Sequence, residues 1–153
     1  MRPAKASDAE GIAKVLKASY NLDTTDDARE AFLRERKQGR HFIVADINGK
    51  IAGFVSWYMH GLSKHGLVEL DRIAVLPEYQ GKGVSGHLFS ALVDDAQNAY
   101  KKEGCRFRKL FLLTHESNKR AHAFYEKMGM KHETSLKSHY YDGEDERVYG
   151  MFF

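Results

Sequence analysis

Apolar residues recur every three to four positions in several stretches of the chain, which is the pattern of amphipathic helices. The longest such stretch begins at Val84. A Ser-Asp-Ala-Glu sequence at residues 7–10 matches a capping box and predicts the start of the first helix. The predicted helices are four, one beginning at residue 7 and the others over residues 28–37, 84–102 and 118–129.

Short runs of β-branched and aromatic residues lie between these helices and are typical of strands. The Asn48-Gly49 pair predicts a hairpin between two of them, and Asp142-Gly143 joins the last two. No repeat or Pro/Gly-rich linker divides the chain, so we expect one α/β domain. The predicted strands are residues 1–3, 41–46, 51–58, 67–75, 110–114, 131–141 and 147–153.

A glycine-rich turn separates the fourth predicted strand from the third predicted helix. It reads Gln-Gly-Lys-Gly-Val-Ser-Gly over residues 80–86. Glycine lets the backbone approach a ligand closely, and the first N–H groups of the following helix have no partner inside the helix. The helix dipole and Lys82 add positive charge, so the turn predicts a phosphate or pyrophosphate site. It is neither a Walker loop nor a G-x-G-x-x-G fingerprint.

Two motifs in this part of the chain resemble those of the GNAT superfamily of N-acetyltransferases. Gln80 and Gly83 match the family's Q/R-x-x-G-x-G/A loop, while Ser85 stands where the family usually has glycine or alanine. Residues 118–130 resemble the family's N-x-x-A-x-x-F-Y-x-x-x-G-F segment, with Met130 in place of the final phenylalanine. The two motifs occur in the family's order.

This resemblance implies a fold and a co-substrate. The fold would be a single-domain mixed central sheet of about seven strands flanked by about four helices. The co-substrate would be acetyl-CoA, and residues 1–153 would form one N-acetyltransferase domain. The resemblance covers residues 2–153 and is specific between about residues 69 and 130.

Composition and charge narrow the other possibilities. The net charge is only +3 and the basic residues are scattered, so we expect no nucleic-acid partner. Cys105 is the single cysteine, which rules out an internal disulfide, and the eight histidines lack the spacing of a metal site, so no metal is expected. No signal peptide, lipidation motif or membrane-spanning run is visible, which indicates a cytoplasmic protein without a membrane partner.

Acetyl transfer to an amine needs a group that takes a proton from that amine. Glu69 lies four residues before Ile73 on the predicted strand that leads to the glycine turn, and some lysine-acetylating members of the family have a catalytic Glu there. Glu69 is therefore the first candidate base, and Asp71, on the same face of the strand, is the second. The alternative is a structural carboxylate paired with a cation.

Tyr125 matches the family tyrosine that protonates the CoA sulfur. A phenol is neutral at pH 7 and can donate its proton to a thiolate. The alternative is structural, because Ala121, Phe124, Tyr125 and Met128 fall at helical spacing and form one apolar stripe.

The resemblance also implies how the co-substrate binds. The pantetheine arm would lie along the backbone of Ile73, Ala74 and Val75 like an added strand. Asn118 would bond the pantetheine, cap its helix, or do both. Contacts to the pyrophosphate are expected from Gln80, Gly81, Lys82, Gly83, Val84, Ser85 and Gly86.

Seven acidic residues are one sequence signal for the acceptor. They are expected in two loops, where they would attract a cationic amine or simply be solvated; they are Asp23, Asp26, Asp27, Asp142, Glu144, Asp145 and Glu146. In the family the two regions commonly frame the acceptor cleft, and residues 139–141, His-Tyr-Tyr, would line that cleft with aromatic faces suited to an ammonium group.

Together these features predict an N-acetyltransferase that moves an acetyl group to a primary amine by direct attack in a ternary complex. The acceptor is a polyamine-like molecule or a protein amino group. The alternative is a non-catalytic acyl-CoA-binding or regulatory domain on the same fold. The oligomeric state stays open, with a homodimer as one alternative.

Overall fold

The computed structural model describes residues 1–20 and 23–153 and contains four α-helices and seven strands within them. The helices are α1 (Ala9–Ser19), α2 (Thr25–Lys37), α3 (Val84–Lys102) and α4 (Lys119–Lys127). The strands are β1 (Arg2–Pro3), β2 (His41–Ile47), β3 (Lys50–Met59), β4 (Leu67–Val75), β5 (Lys109–His115), β6 (Lys131–Tyr141) and β7 (Glu144–Phe152).

The strands form one mixed sheet in the order β1-β2-β3-β4-β5-β7-β6. β4 and β5 are parallel, whereas β5 and β6 each pair antiparallel with β7. The predicted α/β fold, with about seven strands and four helices, is therefore confirmed.

The chain divides into two compact units. The first unit comprises residues 1–58 and 72–95, and the second comprises residues 59–71 and 96–153. In the first unit the apolar stripe of α1, which includes Ile12 and Leu16, packs in one buried cluster with Phe32 of α2 and with Phe42 and Phe54 of the sheet. Burial of this stripe is the main reason that α1 forms, because its isolated length would be marginal in water.

The second unit is built on β5 and β7. Leu110 and Leu112 of β5 are fully buried, as is Tyr149, the register partner of Leu112 on β7. Tyr100 of α3 is also buried, and its hydroxyl donates to the carbonyl of Leu67 at 2.8 Å. Apolar residues at alternate positions of β5 thus supply the core of this unit.

β6 ends the strand order and is almost wholly exposed. Its pairing with β7 shifts between Leu136 and Tyr141, where Ser138 has a φ of +42°. Two hydrogen bonds to side chains lie at this irregularity. The Ser138 N–H donates to Asp145 at 3.1 Å, and the Gly143 N–H donates to the Ser138 hydroxyl at 3.1 Å.

The capping box predicted at residues 7–10 is wrong. Residues 6–8 form a 3₁₀ turn, and α1 begins at Ala9. The Asp8 carboxylate accepts from the Lys5 N–H at 2.7 Å and from the Arg2 guanidinium at 2.7 and 2.8 Å. This guanidinium lowers the pKa of Asp8. The start of α1 therefore depends on the ion pair between Arg2 and Asp8, which the sequence pattern of residues 7–10 does not reveal.

The second helix begins three residues earlier than predicted. Thr24 caps it, since its hydroxyl accepts from the Asp27 N–H at 3.0 Å while the Thr24 N–H donates to the Asp27 carboxylate at 3.1 Å. This reciprocal capping box was not predicted, because the sequence pattern places Asp26 and Asp27 in a loop that precedes the helix, over residues 21–27. Residues 21 and 22 of that loop lie outside the described residues.

Candidate functional site

The glycine turn has the backbone that its sequence predicts. Gly81 and Gly83 have φ values of +72° and +78°, in the left-handed region that glycine adopts without steric cost. A Cβ on Gly81 would meet no atom within 4 Å, and one on Gly83 would meet only the His87 ring, at 3.8 Å. The space above the turn is therefore open to a ligand.

The end of β4 holds this turn in place within the first unit. The Gln80 side-chain amide donates to the Val75 carbonyl at 2.9 Å. Residues 81–83 are exposed, and α3 begins at Val84 with its N-terminal amides at the turn. The ammonium of Lys82 lies 5.7 Å from the centre of the Tyr79 ring. Amides, helix dipole and ammonium together favour an anion here.

A glycine on the neighbouring strand lets β4 approach closely at residues 74 and 75. A Cβ on Gly53 of β3 would lie 2.6 Å from the Ala74 carbonyl oxygen and 3.1 Å from the Val75 Cα. Ala74 and Val75 are buried and Ile73 is half-buried. Sequence reasoning missed Gly53, although an isolated glycine inside a strand is a known sign of close backbone approach.

Glu69 lies in the second unit, on the part of β4 that pairs with β5. Its register partner is Phe111, and its side chain is 15% exposed. The Glu69 Oε2 lies 3.8 Å from Nε2 of His60, whose ring stands edge-on to Phe111 with centres 5.4 Å apart. Asp71 is half-buried two residues further along β4, hence on the same face.

Tyr125 and Asn118 also lie in the second unit. Tyr125 is 7% exposed, and its ring centre lies 5.3 Å from Phe124 and 6.0 Å from Tyr149. The apolar stripe is therefore present, and a role for the hydroxyl stays a prediction. Asn118 caps α4, because its side-chain oxygen accepts from the Ala121 N–H at 3.1 Å.

Glu69 and α4 lie on opposite faces of the sheet in this unit. Phe111, which pairs with Glu69, and Leu112 are consecutive on β5 and point to opposite faces. Tyr149 pairs with Leu112, and its hydroxyl bonds Glu126 of α4 at 2.9 Å. We call the face that carries Glu69 and Phe111 the Glu69 face.

Several acidic residues predicted to lie in two loops are instead built into elements. Asp26 and Asp27 are in the first turn of α2, where Asp27 completes the capping box. Glu144 belongs to β7 and accepts from the Ser117 N–H at 3.0 Å and from its hydroxyl at 2.8 Å. These bonds lower the pKa of Glu144.

Glu146 departs most from the prediction. It is a β7 residue, 1% exposed, in direct contact with Nδ1 of His115. It is therefore not a solvated loop residue. Neither His115 nor its pairing with Glu146 was predicted, since the two residues are far apart in sequence.

The comparison with known families decides the assignment. The model described as the acetyltransferase (GNAT) family matches residues 10–130. The chain belongs to the GNAT family of acetyltransferases. The matched residues contain both motifs found in the sequence, and enzymes of the GNAT family generally use acetyl-CoA.

Several known N-acetyltransferases are similar to this chain. It is 32% identical over 144 residues to YhfO, an uncharacterized N-acetyltransferase of Bacillus subtilis, across 89% of this chain and 92% of that one. It is 32% identical over 120 residues to an N-alpha-acetyltransferase of Saccharolobus solfataricus, across 72% and 68% of the two chains.

Solved GNAT structures share the fold. A GNAT-family protein from Desulfovibrio desulfuricans superposes with a TM-score of 0.82 at 25% identity, over 99% of this chain and 96% of that one. The ribosomal-protein-S18-alanine N-acetyltransferase of Escherichia coli superposes with a TM-score of 0.77 at 22% identity, over 98% and 90%.

Among the helices of residues 1–20 and 23–153, none has the length and apolar character that a membrane span requires.

Proposed function

We propose that residues 1–153 form an N-acetyltransferase domain that uses acetyl-CoA to acetylate a primary amine by direct attack in a ternary complex. The observation that carries the proposal is the turn at the start of α3. Two glycines with positive φ, open space above them and the first amides of a 19-residue helix make a cradle for a pyrophosphate.

We propose that the pantetheine arm extends from this cradle along Ile73, Ala74 and Val75. The Gln80 bond to Val75 joins turn and strand, which supports one continuous binding surface within the first unit. Backbone groups would bind the arm as they bind an added strand, and the Ile73 N–H is the candidate donor to the thioester carbonyl.

The chemistry requires a proton acceptor for the amine and a proton donor for the sulfur. We propose Glu69 as the acceptor, with Asp71 as the alternative, and Tyr125 as the donor. Asn118 would then serve chiefly as the cap of α4 that holds Tyr125 in register.

The acceptor is proposed to be a polyamine-like molecule or a protein amino group. The similarity to an N-alpha-acetyltransferase supports a peptide α-amine as one substrate class. An α-amine, with a pKa near 8, loses its proton more readily than a lysine-type amine near 10.4.

A paired glycine substitution tests acetyl-CoA binding. Gly83→Leu puts a bulky side chain into the cradle and strains its backbone. Gly39→Leu is the matched control, because Gly39 has a φ of +88° and open space around it but lies after α2. Calorimetry should show acetyl-CoA affinity lowered at least about tenfold in Gly83→Leu only. Equal affinities in two folded variants would refute the site.

Turnover is tested with a panel of amines and a thiol-release assay. The panel contains spermidine, lysine and a peptide with a free α-amine. Thiol release that depends on one of these amines supports the proposed enzyme. Binding of acetyl-CoA without thiol release for any amine would instead support the non-catalytic acyl-CoA-binding domain.

A further inference from the structure

The contact between Glu146 and His115 joins two neighbouring strands of the second unit. The two residues are register partners on β7 and β5, so their side chains share one face of the sheet. The Glu146 side chain is 2% exposed, whereas the His115 side chain is 41% exposed. A buried carboxylate thus lies behind a histidine that solvent reaches.

Burial dictates how this pair is arranged. An ionised carboxylate taken out of water is costly unless a cation or an N–H group compensates it. Nδ1 of His115 is buried against Glu146, and we assign a proton to this nitrogen from that contact. A proton on Nδ1, facing the Glu146 carboxylate, fixes the imidazole in one tautomer and leaves Nε2 with a lone pair that can accept a proton.

The pair lies on the Glu69 face. Phe111 pairs with Glu69, and His115 follows four residues later on β5, so both β5 side chains point to that face. Because β4 and β5 are parallel, His115 lies further than Glu69 along the direction in which both strands run. Helix α4 occupies the other face, as its contact with Tyr149 shows.

Other titratable groups surround His115. The carboxylate of Glu144 on β7 is close enough that a positive charge on His115 lowers its pKa. The ring centre of Tyr141 on β6 lies 5.7 Å away. On the side of α4, Nε2 of His122 lies 3.0 Å from the His115 backbone carbonyl. Within the described residues, Glu146 is the carboxylate in direct contact with the His115 ring.

The proposed reaction removes two protons from the acceptor nitrogen, because an ammonium carries three and the amide product carries one. A C–N bond forms and the C–S bond breaks. In the net balance, one of the two protons ends on the CoA sulfur, and the other is released to water. Glu69 is proposed to accept one of these two protons.

We propose that Nε2 of His115 accepts the second proton from the acceptor nitrogen and passes it to solvent. Glu146 is the positioning residue, since it holds the tautomer and stabilises the imidazolium while it exists. The exposure of the His115 ring gives the proton a direct path to water. This inference rests on the proposed acetyl transfer to an amine.

The test begins with the wild-type enzyme and a peptide with a free α-amine as acceptor. His115→Asn should lower kcat/KM on the order of 10²-fold at pH 7, which is typical of losing a general base. The loss should persist at pH 9.5, because an α-amine that is already neutral still has to lose the second proton as the C–N bond forms. His132→Asn is the control, because His132 is an exposed histidine of β6, and it should match the wild type.

Two further measurements separate a proton acceptor from a structural residue. Added imidazole should restore part of the activity of His115→Ala and should not affect His132→Ala. Nitrogen NMR of the wild type should show the Nδ1-protonated tautomer of His115, and Glu146→Gln should reduce turnover while the variant still binds acetyl-CoA.

The outcomes are distinct from those of the proposed function. If the wild type releases no thiol with any amine, the proposed function itself fails. If the wild type acetylates the peptide but His115→Asn keeps wild-type kcat/KM at pH 7, the role of His115 is wrong. A deficit of folded His115→Asn that disappears at pH 9.5, or a folded His115→Ala that imidazole does not rescue, would also overturn it.

Discussion

Gly53 allows a sharp prediction, because two of the three atoms that an added Cβ would meet, including the nearest, are backbone atoms, and the third is Cγ2 of Val75 at 2.9 Å. In Gly53→Ala the new carbon would begin 2.6 Å from the Ala74 carbonyl oxygen and 3.1 Å from the Val75 Cα. A side chain could rotate away from such an overlap, whereas a backbone in a sheet has to shift. Relief therefore requires the end of β4 to move away from β3.

The expected cost follows from two opposing effects. Overpacking a tightly packed site typically costs about 1–3 kcal/mol. Replacing glycine with alanine also stiffens the unfolded chain, which returns about 0.4–1 kcal/mol. We therefore expect Gly53→Ala to lower the free energy of unfolding by about 1 kcal/mol. For a chain of this length, that corresponds to a fall in Tm of about 2–4 °C.

Gly150→Ala is the matched control. Its Cβ would also overlap a neighbour, but that neighbour is the carboxylate of Glu133, which can rotate toward solvent. The substitution breaks at most the ion pair between Glu133 and Lys109, whose N–O distance is 2.6 Å. An exposed pair of this kind is worth about 0–1 kcal/mol.

Urea unfolding of the three proteins, together with calorimetry of acetyl-CoA binding, provides the test. Gly53→Ala should be less stable than Gly150→Ala and should bind acetyl-CoA more weakly, because Ala74 and Val75 are proposed to line the pantetheine. If Gly53→Ala is as stable as the wild type and Gly150→Ala is not, the steric reasoning about β3 and β4 is refuted.

Three further predictions concern single side chains. Tyr125→Phe should lower kcat far more than it raises KM for acetyl-CoA, because the Tyr125 hydroxyl is proposed to act while negative charge develops on the sulfur. A variant with wild-type turnover would indicate that Tyr125 serves only in the apolar stripe. Glu69→Gln should lower kcat/KM and remove the limb that Glu69 contributes to the pH–rate profile, and if that limb persists, Asp71→Asn is measured next. Arg2→Ala should destabilise the protein at pH 7 by about 1 kcal/mol. Arg2 lowers the pKa of Asp8, so its stabilisation is present above the unfolded pKa near 3.9 and is lost as the pH falls through the folded pKa. Urea midpoints of wild type and Arg2→Ala should therefore converge below about pH 4, and an equal gap at pH 7 and pH 3 would contradict this.

Local patterns predicted the fold well where one short segment contains the whole signal. The bounds of β4, α3 and β6 match the structure, since turn residues and period alone define them. The glycine turn is of the same kind, because positive φ and a following helix are both local features. Such segments need no knowledge of distant residues.

The features that the sequence did not predict correctly all depend on contacts between distant parts of the chain. The start of α1 depends on Arg2, whose guanidinium also bonds Asp46 at 2.9 Å. Glu146 was predicted in an acidic loop because four acidic residues surround one glycine, yet its burial is caused by pairing with β5. No period or motif encodes which residue of β5 stands opposite Glu146, so the His115 pair became visible only in three dimensions.

The irregular end of β6 has a consequence for how the protein behaves at high concentration. An outer strand normally presents a straight row of amides and carbonyls to which a strand of another molecule can add. Here the left-handed Ser138 bends that row, and side-chain bonds to Asp145 and Gly143 stand beside the bend. The interruption limits how far a second molecule can pair along β6, and so protects the outer edge of the sheet against aggregation.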